Sequence, residues 1–361
     1  MKIHLLCKRY YTGKDLIRDR FGRLYHLPIQ LSLLERQVSV TAIDYRHPLA
    51  ERHELDGVIF RTLPATATRL PGSLIELQRT LRADPPDILL ASGDSHIGYL
   101  GLRLARGLGI PFVFDIYDYY PAFAGNRIPG IKTLFRKAVT GADLVLCAST
   151  PLMERLATLN RKRLLIENGV DRRLFKPMDP AAARSKLNID GQTTIVGYFG
   201  SIQPARGPLL IEACRRLREQ WRPLILLLAG PVSRVPIDEP WIRYLGPVPQ
   251  ERVPELIAAC DVVTVPYADD AFNAMSGACK IAEYLSCGKP VVATDIAGHR
   301  EIFQAAPRSL CRPDATDMAD AIRGQIDQPQ VAPFPARLEW KAIASTLRDA
   351  LGGLSRASSA A

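Results

Sequence analysis

The chain has 361 residues, of which 47% are apolar and 23% charged, and a formal net charge of +10. That length exceeds one ordinary α/β domain and suits two. No apolar run approaches the roughly 18 to 20 residues of a spanning helix, and the short run 3–7 is too brief for a signal-peptide core, so a cytoplasmic protein is expected.

In chain order, "KIHLLC" (2–7), "QVSVTAID" (37–44), "GVIFRTL" (57–63), "DILLAS" (87–92), "PFVFDIY" (111–117), "DLVLCAS" (143–149) and "RLLIENG" (163–169) read as strands. Helical patterns such as 97–109 lie between several of them, an alternation that predicts a parallel sheet with helices on both faces. Residues 175–192 are polar, contain Pro and read as a linker. The alternation then restarts, with strands at 193–201, 224–230, 242–248, 261–267 and 290–295. Helices fall at 208–222, 250–259 and 278–286. The expected fold is therefore two doubly wound domains in tandem, at 1–178 and 190–334, with a ligand in the cleft between them. A final segment, 335–361, reads as a helix returning to the first domain, with Trp340, Ile343 and Leu347 on its buried face.

Seven scattered cysteines without a CxxC spacing read as buried free thiols, and six histidines show no metal-ligand spacing, so no metal is expected. The charge is lopsided: residues 1–185 hold 28 Lys and Arg against 18 Asp and Glu, while 186–361 hold 19 of each kind. A basic half implies an anionic partner, either a phosphorylated substrate or an anionic membrane surface. No nucleic-acid-binding motif accompanies the cations, so nucleic acid is not expected. Lys8, Arg9, Lys14, Arg18, Arg20 and Arg23, interleaved with Tyr10, Tyr11, Phe21 and Tyr25, are expected to form a basic-aromatic surface. The alternative is a helix whose aromatics are core.

Two places carry chemistry. The strand 193–201 ends at Gly200, and Ser201 to Gly207 turns into a helix carrying Arg206, which suits a phosphate through free N–H groups and a cation. A second helix start, Ser276-Gly277-Ala278, precedes Lys280 and Glu283, which share a helix face. Two such ends with two cations suit a diphosphate, and Glu283 is placed to accept hydrogen bonds from sugar hydroxyls.

Taken in order, "GYFGSIQPARG…LLLAG…YLGPVPQERVPELIAACDVVTVPY…KIAEYLSCGKPVVATDIAG" resembles the C-terminal domain of glycosyltransferase family 4, retaining enzymes of GT-B fold with two Rossmann-like domains. "GADLVLCASTPLMERL" and "LIENGVDRRLFKP" resemble that family's first domain and linker. The resemblance implies transfer of a sugar from a nucleotide diphosphate donor to a glycan, lipid-linked or small-molecule acceptor, in glycan or envelope polysaccharide biosynthesis, without an obligatory metal or other cofactor. It implies a cytoplasmic protein, with a peripheral position on the inner face of the membrane left open, as is its oligomeric state. Glu283 matches the second acid of the family's E-x7-E motif, whereas Met275 replaces the first. Ser201 replaces a phosphate-binding Arg, and Arg206 stands in for a Lys. Arg206 and Lys280 would stabilise the departing diphosphate, and Asp118 is the candidate acid near the acceptor. Gly13, Lys14, Gly22, Arg23, His96, Asp115 and Tyr117 are the other acceptor-side candidates, with Tyr117 at a position where the family often has His. A non-catalytic nucleotide-sugar or glycan-binding protein, or a nucleotide-sugar epimerase, are the alternatives.

Overall fold

The structure, a computed structural model, describes residues 1–361 except 12, 36, 124–127, 221–222, 276, 278 and 360–361. The chain forms two compact units: residues 1–169 with 275–277 and 340–361, and residues 170–274 with 278–339.

The first unit is built on β1 (Lys2–Lys8), β4 (Gln37–Asp44), β5 (Arg52–Leu55), β6 (Val58–Pro64), β7 (Ile88–Ser92), β8 (Phe112–Ile116), β9 (Leu144–Cys147) and β10 (Arg163–Leu165). The sheet order is β10-β9-β8-β7-β1-β4-β6-β5, and only the pairing of the edge strand β5 with β6 is antiparallel. A small hairpin, β2 (Tyr10–Tyr11) and β3 (Lys14–Asp15), follows β1. The helices are α1 (Arg23–Ser32), α2 (Leu70–Ala83), α3 (Ser95–Leu108), α4 (Ile131–Gly141) and α5 (Thr150–Arg155). β7 and β8 are buried along their whole length, as expected for parallel strands covered on both faces. Strand order reverses between β1 and β7, so their carboxyl ends flank a switch point.

The second unit has six parallel strands: β11 (Thr194–Phe199), β12 (Leu224–Ala229), β13 (Ile242–Tyr244), β14 (Val262–Val265), β15 (Val291–Thr294) and β16 (Leu310–Cys311). Their order is β13-β12-β11-β14-β15-β16, which puts the switch point between β11 and β14. Its helices are α6 (Pro180–Lys186), α7 (Gly207–Gln220), α8 (Val253–Ala259), α9 (Ala271–Met275), α10 (Cys279–Ser286), α11 (Ala297–Arg300) and α12 (Ala315–Asp327). The stretch 175–192 is folded into this unit. Asp179 caps α6 by accepting from the Ala181 N–H, Ala183, Leu187 and Ile189 are buried, and Arg184 pairs with Asp261 at 2.8 Å.

The last helix, α13 (Trp340–Ser359), belongs to the first unit, and Trp340, Ile343 and Leu347 are buried in that unit's core. Six cysteines are buried free thiols and Cys279 is exposed. Among the described residues no helix is long and apolar enough to cross a membrane.

Candidate active site

At the carboxyl end of β11 the chain is stripped of side chains where other groups must come close. A Cβ on Gly200 would lie 2.2 Å from Lys280 Cε and 2.9 Å from its Nζ. A Cβ on Gly230, after β12, would lie 2.2 Å from the Gly200 carbonyl oxygen, and its φ of +133° suits glycine alone. Both glycines therefore let the Lys280 ammonium lie against the end of the strand. Lys280 comes from α10, whose Ile281, Ala282, Tyr284 and Leu285 are buried, and the Tyr284 hydroxyl accepts the Phe199 N–H at 3.1 Å. That packing fixes the helix to β11 and leaves Lys280 and Glu283, one turn apart, on the remaining face. Neither side chain makes a hydrogen bond or ion pair with a described residue. Burial raises the Glu283 pKa above its ordinary value, and the Lys280 charge only partly opposes it.

Arg206 closes the other side of this strand end. Its guanidinium lies 4.1 Å from the Tyr267 ring centroid and donates from Nη2 to Asn273 Oδ1 at 3.2 Å. Asn273 is itself held, since its amide donates to the Ala268 carbonyl at 3.1 Å and to Asp270 Oδ2 at 2.9 Å. Arg206 has no described carboxylate partner, and its Nε is buried without an acceptor. Gly207 starts α7, with Ile202 and Val235 each 3.0 Å from where its Cβ would be. Ser201 is exposed, and its carbonyl accepts from Tyr198 at 3.1 Å. The sequence reading missed Tyr267 and Asn273, which orient Arg206. Nothing in their spacing announces them.

The first unit treats its charges differently. Arg23 is buried and makes a two-pronged pair with Asp115, Nη2 to Oδ1 at 2.6 Å and Nε to Oδ2 at 2.8 Å, and its Nη1 donates to the Ile166 and Glu167 carbonyls. Arg9 is 1% exposed and engages Asp15, Asp44 and Glu51. Lys8 meets Asp94 at 2.5 Å beside the switch point. The expected basic-aromatic surface is thus corrected: Arg9 and Arg23 are internal, Lys8 is neutralised and Tyr25 is core, while Arg18 and Arg20 stay exposed. Arg23 and Asp115 hold the framework because each satisfies the other. Tyr117 is also buried, edge-on to Tyr11 at 4.8 Å and to Tyr120 at 5.6 Å. His96 opens α3, with its Nε2 2.8 Å from the Tyr45 hydroxyl. Asp118 is half-buried beyond β8. Gly13 turns the β2–β3 hairpin in open space, Lys14 follows it, and Gly22 starts α1 at φ +71°. Gly277 lies in this unit, where Asn168 Nδ2 donates to its carbonyl at 3.5 Å. Ser276 and Ala278 lie outside the described residues.

Two family descriptions match the chain in succession: Glycosyltransferase Family 4 over residues 31–174 and Glycosyl transferases group 1 over 193–328. The chain belongs to glycosyltransferase family 4. Curated relatives include a D-inositol 3-phosphate glycosyltransferase of Mycobacteroides abscessus, 29% identical over 52% of this chain and 46% of the relative. Another is the putative teichuronic acid biosynthesis glycosyltransferase TuaH of Bacillus subtilis, 27% identical over 51% of this chain and 50% of its own. These matches span about half the length of the relatives. Among solved structures, sucrose-phosphate synthase of Thermosynechococcus elongatus superposes with a TM-score of 0.74 over 99% of this chain and 100% of its own, at 19% identity. HepE of Anabaena, in complex with UDP, gives 0.72 over 98% and 100%, at 20% identity. The fold is the GT-B fold.

Three of the departures from the family 4 pattern that the sequence suggests have distinct settings. Met275, in place of the first motif acid, packs partly buried on the first unit's core, and its carbonyl accepts from Ser149 Oγ at 2.6 Å. Its thioether supplies no charge to a sugar. Tyr117, in place of His, is sealed among aromatics, and Ser201, in place of Arg, leaves Arg206 and Lys280 as the cations at the β11 end.

Proposed function

We propose that this family 4 chain transfers a glycosyl group, with retention of anomeric configuration, from a nucleoside diphosphate sugar to a hydroxyl of a glycan, lipid-linked or phosphorylated acceptor. One observation carries the reading. At the β11 end, Lys280 and Arg206 have no described acid partner, glycines open the approach, and Glu283 has a carboxylate with no described donor. A diphosphate satisfies the two cations, and ribose hydroxyls satisfy the carboxylate. As the bond from the anomeric carbon to phosphate oxygen breaks, negative charge grows on the leaving diphosphate beside Lys280 and Arg206, where fixed donors are most effective. The acceptor oxygen attacks on the face the diphosphate leaves, and its proton passes to a phosphate oxygen. Asp118 serves as the acceptor-side carboxylate. Because two cations already carry the diphosphate charge, no metal is required in this scheme, and turnover is expected to survive a chelator.

Uridine diphosphate sugars are the first donors to try, since the HepE structures hold UDP and UDP-glucose. A panel of nucleotide sugars is scored by thermal stabilisation, then by product formation with mixed acceptors. A panel in which none raises the melting temperature overturns the reading. Binding with neither transfer nor hydrolysis favours the second reading, a non-catalytic nucleotide-sugar-binding protein, which Met275 and the sealed Tyr117 support.

We also propose peripheral attachment to an anionic membrane. The internal ion pairs remove the cluster first expected for this, but exposed Arg69 and Arg79 adjoin the exposed Leu49 and Ile75 around α2. That mixture of cations and apolar side chains suits a headgroup layer.

A further inference from the structure

One face of β1 and β4 is polar at three places. Ile3, Leu5 and Cys7, with Val38, Val40 and Ala42, are buried apolar residues, and at the intervening positions His4, Ser39 and Thr41 are polar while Leu6 is buried and apolar. Those polar residues line a cavity of about 640 Å³ in the first unit, walled across from the sheet by Leu77 and Leu81 of α2. That volume lies within the range of small-molecule sites. The cavity reaches only to Thr41 and Leu63 along β4 and β6, and does not include Lys8 or Asp94 at the carboxyl ends.

Two features of the cavity ask for an anion, and a third asks for a hydrogen-bond partner. Arg52 on β5 and Arg61 on β6 are directly opposite in the antiparallel pair and both line the cavity. Like charges so placed repel, and neither arginine has an ion-pair partner among the described residues. The acids that line the cavity do not compensate: Glu51 is engaged by Arg9 and His53, each at 2.9 Å, Asp84 by Lys2, and Glu76 is an exposed residue of α2 unpaired with either arginine; Glu54, two residues along β5 from Arg52, is outside the lining and paired with neither. His4, 7% exposed, shares a hydrogen bond with Ser39 Oγ at 2.9 Å through Nδ1, while its buried Nε2 has no partner. A buried nitrogen so left costs stability until a ligand reaches it.

We propose that this cavity binds the phosphate group of a small phosphorylated metabolite, held between Arg52 and Arg61, with the ester's polar body against the His4–Ser39–Thr41 floor. Two guanidiniums from adjacent strands match the oxygens of a phosphomonoester, and the cavity is too large for the ion alone. The proposal is independent of the donor site, whose cations lie in the other unit.

Glycerol 3-phosphate, inorganic phosphate and glycerol are titrated calorimetrically into the full chain and into an Arg52→Gln/Arg61→Gln variant. The expected result is glycerol 3-phosphate binding at least as tight as inorganic phosphate, none by glycerol, and a loss of about ten- to hundredfold in the variant. The variant should keep its response to nucleotide sugars, and without ligand should melt no lower than the parent, because a repulsion has been removed. An unchanged isotherm in the variant, or no glycerol 3-phosphate binding by the parent, overturns the proposal. Binding of inorganic phosphate with exclusion of the ester overturns it as well, since the site would then hold only a free ion.

Discussion

The two sheets end in similar switch points but dispose of charge in opposite ways. In the first unit, Arg23 and Asp115, Arg9 and its three carboxylates, and Lys8 and Asp94 neutralise one another in or near the interior. In the second, Arg206 and Lys280 lie near the β11 end beside an amide, an aromatic ring and glycines, and among the described residues neither they nor Glu283 has an ion-pair partner. A buried charge whose partner is already present belongs to the framework, whereas charges without a described partner are what the proposed donor site rests on. The same residue types thus do different work according to whether the chain itself completes their coordination.

The sharpest way to break this contrast is Asp115→Ala, which leaves the Arg23 guanidinium buried and uncompensated. It is expected to cost about 3 to 5 kcal/mol, read by denaturant unfolding, with donor affinity intact in the fraction that stays folded. Unchanged stability would move Arg23 from framework to ligand site. Lys280→Ala is the converse. It should weaken nucleotide-sugar binding by about ten- to hundredfold, about 1.5 to 3 kcal/mol, while the unfolding midpoint barely moves, and a collapse of the fold would contradict the assignment.

Glu283→Gln tests a carboxylate that has no described donor. The folded-state pKa of this carboxyl is raised above 4.5, so the folded chain holds the proton more tightly than the unfolded one. The contribution of this one group to stability is therefore fully present below about pH 4.5 and is lost as the pH rises through the folded-state pKa. The glutamine variant escapes that loss and is expected to be at least as stable as the parent at neutral pH, with the difference closing on acidification and donor binding largely lost. A variant less stable at neutral pH would show that the carboxylate has an internal partner after all. The smallest effect concerns the exposed cations. Sedimentation with anionic vesicles should exceed that with neutral ones and fall with salt, each engaged Arg contributing about 1 kcal/mol. Arg69→Ala with Arg79→Ala should reduce it, and equal binding to neutral vesicles argues against the patch.

Much of the fold was readable because strands covered on both faces run apolar, as 224–230 does, which coincides with β12 but for Gly230. The run 37–44, which coincides with β4, was readable from its β-branched residues although Ser39 and Thr41 are polar. The edge strand β5 and the helix α6 escaped notice because one is half-exposed and the other is short, Ala-rich and polar, so neither carries a strong period. Glu283, Lys280, Arg206 and Gly200 were proposed for the site from motif order and strand ends, and Lys280 does lie against Gly200. The partners of Arg23 and Arg9 were not, because Asp115 lies 92 residues from one and Asp44 lies 35 from the other. A run of cations reads as a surface until the topology supplies carboxylates from other strands.

The return of α13 sets the order in which this protein can be finished during synthesis. The second unit is one stretch of chain, 170–339, interrupted only by 275–277, so every residue it needs has been made by the time residue 339 leaves the ribosome. The first unit at that moment still lacks Trp340, Ile343, Ala344, Leu347 and Leu351, which complete its core and stack Trp340 on His26 with ring centroids 5.6 Å apart. The half made first is therefore the half completed last, and until translation passes residue 351 the groove beside α1 is an apolar surface on a nascent chain.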